Sequence, residues 1–227
     1  MPVVARLLLL TLLLALLPIL TWLSGWHWQV DDASPWLRPL YWLTLTGSAP
    51  FAIGTTALVL VLLYRRLGWR PAELGRYGLC LCLALLAGLG AKALLKWHFK
   101  EARPYVQYLD NTHDTDFYQD SIATQKRLID TAPVPAWLKG HWRHERGYAF
   151  PSGHTQFAAM LALFSAILLW QARAWLAMSL VLAWALLVMA SRLLLGMHWP
   201  QDLLFSLSFA WLLVWPALVL AGGNKTS

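Results

Sequence analysis

Residues 174–221 read AWLAMSLVLAWALLVMASRLLLGMHWPQDLLFSLSFAWLLVWPALVLA, two apolar runs joined by a short polar hinge. The hinge, Ser191 to Asp202, carries Arg192, His198 and Asp202. Each run is long enough to cross about 30 Å of hydrocarbon, which takes roughly 17–25 residues in a helix. Outward from this pair the same reading repeats. Apolar runs near 3–23, 47–64, 74–95 and 154–170 join those near 174–191 and 200–221. The expectation is an all-α integral membrane bundle of six transmembrane helices, one domain over residues 1–227. A partly helical loop domain of about residues 97–153 stands between the third and fourth spans.

Composition agrees. Of 227 residues 59% are hydrophobic and only 13% charged, with a mean hydropathy of +0.52. A soluble domain carries about a quarter of its residues as Asp, Glu, Lys or Arg. The net charge of +7 forms no basic stripe with interleaved aromatics, so no nucleic-acid partner is expected. Cys80 and Cys82 lie inside an apolar run and point to different helical faces, which makes them packing residues. Many of the fifteen tryptophans, Trp22, Trp28 and Trp199 among them, sit at the edges of apolar runs, where an interfacial belt places them. The first run has no clear small-x-small cleavage site after it and reads as a retained anchor rather than a signal peptide.

Basic residues set the expected orientation. Arg6, the group Arg65, Arg66, Arg70 and Arg76, then Arg173 and Lys225 fall on one side, which the positive-inside rule makes cytoplasmic, together with both termini. The other side receives a loop at 24–46, with Asp31, Asp32 and Arg38, and the segment 97–153, which holds seven acidic and seven basic residues. Trp137, Trp142 and Tyr148 argue against disorder there. Its lone histidines, His113, His141 and His144, are expected to be solvated.

Three polar stretches fall at span ends on that outer side. Lys96 to Pro104 carries Lys96 and Arg103, seven residues apart and able to aim at one point if the helix continues; Lys92, Lys96 and Lys100 share a helical face. Taken alone, that stretch is better explained by snorkelling lysines and a helix stop at Pro104. Pro151-Ser152-Gly153-His154 opens the fourth span, where exposed N–H groups and the helix dipole suit an anion. An ordinary N-cap by Ser152 or Thr155 is the alternative. In the hinge, Arg192 near the bilayer demands a partner, and Asp202, four residues after His198, can accept from Nδ1 and leave Nε2 free. Such a pair alone is more often structural than catalytic. Together the three stretches make a cationic cup of Lys96, Arg103 and Arg192 beside two histidines, which suits phosphoryl transfer. Asp202 and Glu101 are too few hard ligands for magnesium, so no metal is expected.

Lys96-x6-Arg103-Pro104, Pro151-Ser152-Gly153-His154 and Ser191-Arg192-x5-His198-x3-Asp202 resemble, in order and without departure, the three signature motifs of the type 2 phosphatidic acid phosphatase superfamily. The resemblance implies that His198 attacks phosphorus to give a phosphohistidine, oriented by Asp202. His154 would protonate the leaving oxygen and then activate water. Lys96, Arg103, Pro104, Ser152, Gly153 and Arg192 would bind the phosphate. It implies a hydrolase without metal or other cofactor in a bacterial inner membrane, its site facing the periplasm. The implied substrates are phosphatidylglycerophosphate and undecaprenyl diphosphate, with phosphatidic and lysophosphatidic acid as further ones. A lipid phosphotransferase would use the same residues. An anion transporter would instead require internal repeats and mid-span charges.

Overall fold

The computed structural model describes residues 1–30 and 33–222. Asp31, Asp32 and Lys225, which entered the orientation above, lie outside them. Among the described residues all regular elements are helical: α1 (Val3–Leu23), α2 (Arg38–Leu45), α3 (Phe51–Leu67), α4 (Pro71–His98), α5 (Pro104–His113), α6 (Ile122–Thr131), α7 (Ala136–His144), α8 (Gly153–Gln171), α9 (Trp175–Leu194) and α10 (Pro200–Leu220). Five of these, α1, α4, α8, α9 and α10, are long and apolar enough to cross a membrane.

The centre is α8. Residues 158–169 are all buried, as expected of a helix apolar on every side. Ala158, Ala159, Ala162, Ser165 and Ala166 are small enough for α9 and α10 to pack closely on it, with α1, α3 and α4 completing the shell. The outer helices present leucine to the surroundings: Leu8, Leu9, Leu12, Leu13 and Leu16 on α1, and Leu79, Leu83, Leu86 and Leu89 on α4, are exposed. Patches of that extent are matched by lipid rather than water.

Two expectations are corrected and one open alternative is decided. The run near 47–64 becomes α3, Phe51–Leu67. Gly47 and Ser48 turn back on Thr44 and Leu45 through their N–H groups, so the helix starts later; Gly68, at φ 61, ends it after Arg65 and Arg66. At 17 residues, about 25 Å, it is shorter than the other five. The stretch 24–46 is not simply a loop, because it contains α2, which packs on α9. Lastly, the helix does not continue from Lys96 to Arg103. It stops at His98, Phe99 is extended at φ −97 and ψ 100, and Arg103 is extended before Pro104, the first residue of α5. Lys100 is therefore off the helical face of Lys92 and Lys96, and exposed.

A second core sits on one end of the bundle. Tyr105, Val106, Leu109, Phe117, Ile129, Leu138 and Trp142 from the loop domain close over Leu195 and Met197. Tyr105 stacks on Trp142 at 4.5 Å, and Trp28 meets Trp142 edge-on at 5.8 Å. Trp28 is thus a core residue rather than part of an interfacial belt. Its indole N–H donates to Leu194 O at 3.1 Å, and that of Trp142 to Leu195 O at 3.0 Å. These are carbonyls that the end of α9 leaves without helical partners. At the opposite end Arg6 lies over Trp170, and Arg76 lies over Tyr77 and beside Gly222.

Gly196 joins the two cores. It has φ +69, and a Cβ there would lie 2.8–3.0 Å from the Trp28 ring. Gly196→Ala combines a left-handed backbone penalty with overpacking, together roughly 2–4 kcal/mol. Thermal unfolding in detergent micelles should show that loss, and an unchanged midpoint would contradict the packing described.

Candidate active site

The ends of four apolar helices converge beneath the second core; the first two signature stretches occupy one each, at α4 and α8, and the third joins the other two, α9 and α10. Pro200 and Asp202 begin α10. Asp202 Oδ2 accepts from Trp199 N at 2.9 Å, capping the helix, and lies 3.1 Å from His198 Nδ1. The carboxylate can only accept, so Nδ1 carries the ring proton. Nε2 then presents its lone pair, and Arg103 Nη1 stands 3.4 Å from it. A guanidinium can only donate, so both contacts require the same tautomer. His198 and Asp202 are buried, at 2% and 0% exposure, which holds this geometry away from water.

Arg103 is fixed by the break between α4 and α5. Its Nε donates to Gly147 O at 2.6 Å and its Nη1 to Met197 O at 3.0 Å. Pro104 has no N–H to offer a phosphate; its contribution is to hold Arg103 extended. Arg192, in the last turn of α9, is wholly buried. It donates to Thr44 Oγ1 at 2.9 Å, His141 Nε2 at 3.2 Å and Glu145 Oε2 at 2.7 Å. Lys96 Nζ donates to Tyr148 O at 2.5 Å, and its charge acts on His198.

At the start of α8, Ser152 is the N-cap: its hydroxyl accepts from Thr155 N at 3.4 Å and donates to Thr155 Oγ1 at 2.9 Å. The capping alternative is what the side chain does in this structure, beside the N–H groups that open α8. Gly153 leaves room for Lys92, whose Nζ would be 3.1 Å from a Cβ placed there. His154 Nε2 lies 2.6 Å from Ser48 Oγ and 3.6 Å from Glu145 Oε1.

The structure therefore gathers Lys96, Arg103, Ser152, Gly153, His154, Arg192, His198 and Asp202 at one place. It adds five residues that sequence reasoning did not assign: Thr44, Ser48, Lys92, His141 and Glu145. Lys92 was visible as a lysine four before Lys96. The other four carry no local signal, because the chain brings them in from separate segments. His141 corrects the expectation of a solvated histidine. It is 4% exposed and lies 3.7 Å from Glu145 Oε1. His113 and His144 are exposed, bonded to Thr131 Oγ1 and Gly140 O.

Electrostatics follow from burial among cations. Burial, then Arg103, Arg192 and Lys96, hold the His198 imidazole well below the usual histidine range. Burial and Arg192 take His141 down to about 3, so it is a neutral acceptor. Burial pushes the Glu145 carboxyl up, but Arg192 first, with Arg103, outweighs it and keeps the group well below its ordinary value.

Sequence comparison assigns the class. Residues 77–225 match the PAP2 superfamily, and the chain belongs to it. Phosphatidylglycerophosphatase B of Escherichia coli is 38% identical over 217 residues, covering 92% of this chain and 85% of that protein. Phosphatidylglycerophosphatase B of Haemophilus influenzae is 38% identical over 226 residues, covering 92% of each. Among solved structures, the transmembrane PAP2-type phosphatidylglycerolphosphate phosphatase from Bacillus subtilis superposes with a TM-score of 0.56 at 20% identity, over 98% of this chain and 97% of that one. That likeness concerns the fold. With five membrane-length apolar helices and membrane relatives, the chain is a multi-pass membrane protein.

Burial and the neighbouring cations outweigh the Asp202 carboxylate, so the neutral form of His198 persists to a pH at which an exposed histidine is mostly protonated. Imidazole NMR of selectively labelled protein should find His198 still neutral and Nδ1-protonated there. A ring titrating in the ordinary range would contradict the described burial.

Proposed function

We propose that this protein is a metal-independent lipid phosphatase acting through a phosphohistidine, and that residues 1–227 form one domain crossing the bacterial inner membrane six times. The observation that carries the reading is the pairing at His198: Nδ1 tied to Asp202 and the Nε2 lone pair directed at the Arg103 guanidinium. A phosphoryl group held by that guanidinium lies in reach of an unprotonated nitrogen. Lys96, Arg103 and Arg192, with the N–H groups that open α8, neutralise its oxygens as charge develops.

In the first step Nε2 of His198 bonds to phosphorus as the bond to the lipid oxygen breaks, and His154 supplies the proton that oxygen takes. In the second, His154 accepts a proton from water, the resulting hydroxide attacks phosphorus, and the P–N bond breaks to release phosphate. Asp202 stabilises the positive imidazole between the steps. Ser48 and Glu145 flank His154 Nε2, the atom through which both proton transfers pass.

The substrates proposed are phosphatidylglycerophosphate, giving phosphatidylglycerol, and undecaprenyl diphosphate, giving the monophosphate. Phosphatidic and lysophosphatidic acid are further ones. The names of the relatives support the first, and a site at the ends of membrane-length helices suits all four. The sixth span is α3, flanked by Arg65 and Arg66. Arg6, Arg76 and Arg173 lie at the opposite end from the site, which supports cytoplasmic termini and a periplasmic site.

Purified protein should release phosphate from phosphatidylglycerophosphate in the presence of EDTA; loss of turnover on chelation would end the metal-free reading. His198→Ala should lower kcat by more than about a thousandfold and remove any acid-labile phosphoenzyme. His154→Ala should slow poor leaving groups far more than good ones, and an equal effect on both would exclude it as the general acid. For orientation, a cysteine at Ser121 should react with an impermeant maleimide in intact spheroplasts. Protection there would reverse the proposed topology.

A further inference from the structure

The cup already holds an anion of the protein's own. Glu145 follows α7 as its C-cap and turns its carboxylate into the ring of cations. Oε2 is 2.7 Å from Arg192 Nη2 and 3.6 Å from Arg103 Nη1; Oε1 is 3.6 Å from His154 Nε2 and 3.7 Å from His141 Nε2. The charges of Lys92 and Lys96 also act on it. A carboxylate and a phosphoryl group offer a guanidinium the same pair of acceptor oxygens. The two therefore compete for Arg103 and Arg192. The side chain is 21% exposed, unlike Arg192 at 0%, so the carboxylate has a way out that the guanidinium lacks.

We propose that Glu145 is a specificity-determining residue: an internal anion that a dianionic terminal phosphate displaces and a monoanionic phosphodiester does not. The proposal rests on reading the cup as the phosphate site. The physical reason is charge. A tethered competitor acts at a high effective concentration, on the order of millimolar or above. A diester brings one negative charge, equal to that of the carboxylate, and gains no Coulomb energy by replacing it. A phosphomonoester at neutral pH carries about −1.5 to −2, and its second charge is the surplus that drives the exchange.

The discrimination is needed where the site lies. Bulk phospholipids around a membrane site are phosphodiesters, far more abundant than any monoester. A bare cup of arginines and lysines would bind their headgroups unproductively. The product of removing a terminal phosphate from a lipid that also has a diester linkage is itself such a diester. With Glu145 in place that product is expelled by a residue already beside it.

The test uses the full-length protein in detergent with two soluble ions, inorganic phosphate and dimethyl phosphate, as competitive inhibitors of phosphate release from a short-chain phosphatidic acid. In the wild type, phosphate should bind at least about tenfold more tightly than dimethyl phosphate; equal binding overturns the proposal. In Glu145→Gln the inhibition constant for dimethyl phosphate should fall by about tenfold or more and that for phosphate by less, so the ratio collapses. An unchanged ratio overturns the proposal. So does a parallel weakening of both ions, the mark of a residue that merely orients Arg192. If the Gln variant turns over too slowly, isothermal titration with the same ions reads the same ratio. Glu145→Asp, its carboxylate drawn back from Arg192, should shift the ratio in the same direction and serves if the Gln variant does not fold. Absence of phosphate release by the wild type would sink the phosphatase reading itself, whereas normal release with an unaltered ratio would sink only this inference.

Discussion

Everything around the site is arranged to keep one guanidinium, that of Arg192, out of water. It is entirely buried near the membrane end of α9, where an unmatched charge is prohibitive. Its hydrogen bonds draw together three parts of the chain that are otherwise far apart. Thr44 comes from α2, while His141 and Glu145 come from α7 and its cap. The loop domain is thus tied to the bundle through a charge as well as through its own aromatic core.

A layered construction results. Below, α8 is surrounded by apolar helices whose outer faces meet lipid. Above, Tyr105, Trp142 and Trp28 pack over Leu195 and Met197. The cup occupies the seam, where helix ends leave N–H and C=O groups to be met. Tryptophan indoles meet the carbonyls of α9, Asp202 caps α10 and Ser152 caps α8. Cations outnumber the one acidic side chain, Glu145, that faces them in the cup, and this makes it a place for phosphate in the proposed reaction. Burial beside the guanidinium groups keeps two of its imidazoles, His198 and His141, neutral.

The sequence reading reached the bundle and the grouping of its motifs because both rest on short-range regularities. Apolar run length marks a span without knowledge of its neighbours, and His198 to Asp202 is one helical turn whatever else the chain does. It failed where one segment depends on another. Whether Arg103 continued the helix of Lys96 was left open by the spacing; Pro104 forces it extended, and Gly147 O and Met197 O hold it in place. His141 was expected in water because its neighbours in sequence are polar. Arg192, fifty-one residues away, makes it an acceptor in the core. Pro104 and the Ser152 hydroxyl belong to the motifs yet serve conformation and capping.

What the sequence by itself determined is an all-helical membrane chain, with cations, two histidines and an aspartate at the ends of its helices. Period, length and charge placement are properties of consecutive residues, so no folding was needed to see them. Only the tertiary structure decided what fills the cup. Glu145 lies 47 residues from Arg192 in the chain and 2.7 Å from it in space. No spacing rule links the two. Their contact exists because α7 docks on the end of α9, and a buried guanidinium leaves no stable alternative to a matching anion.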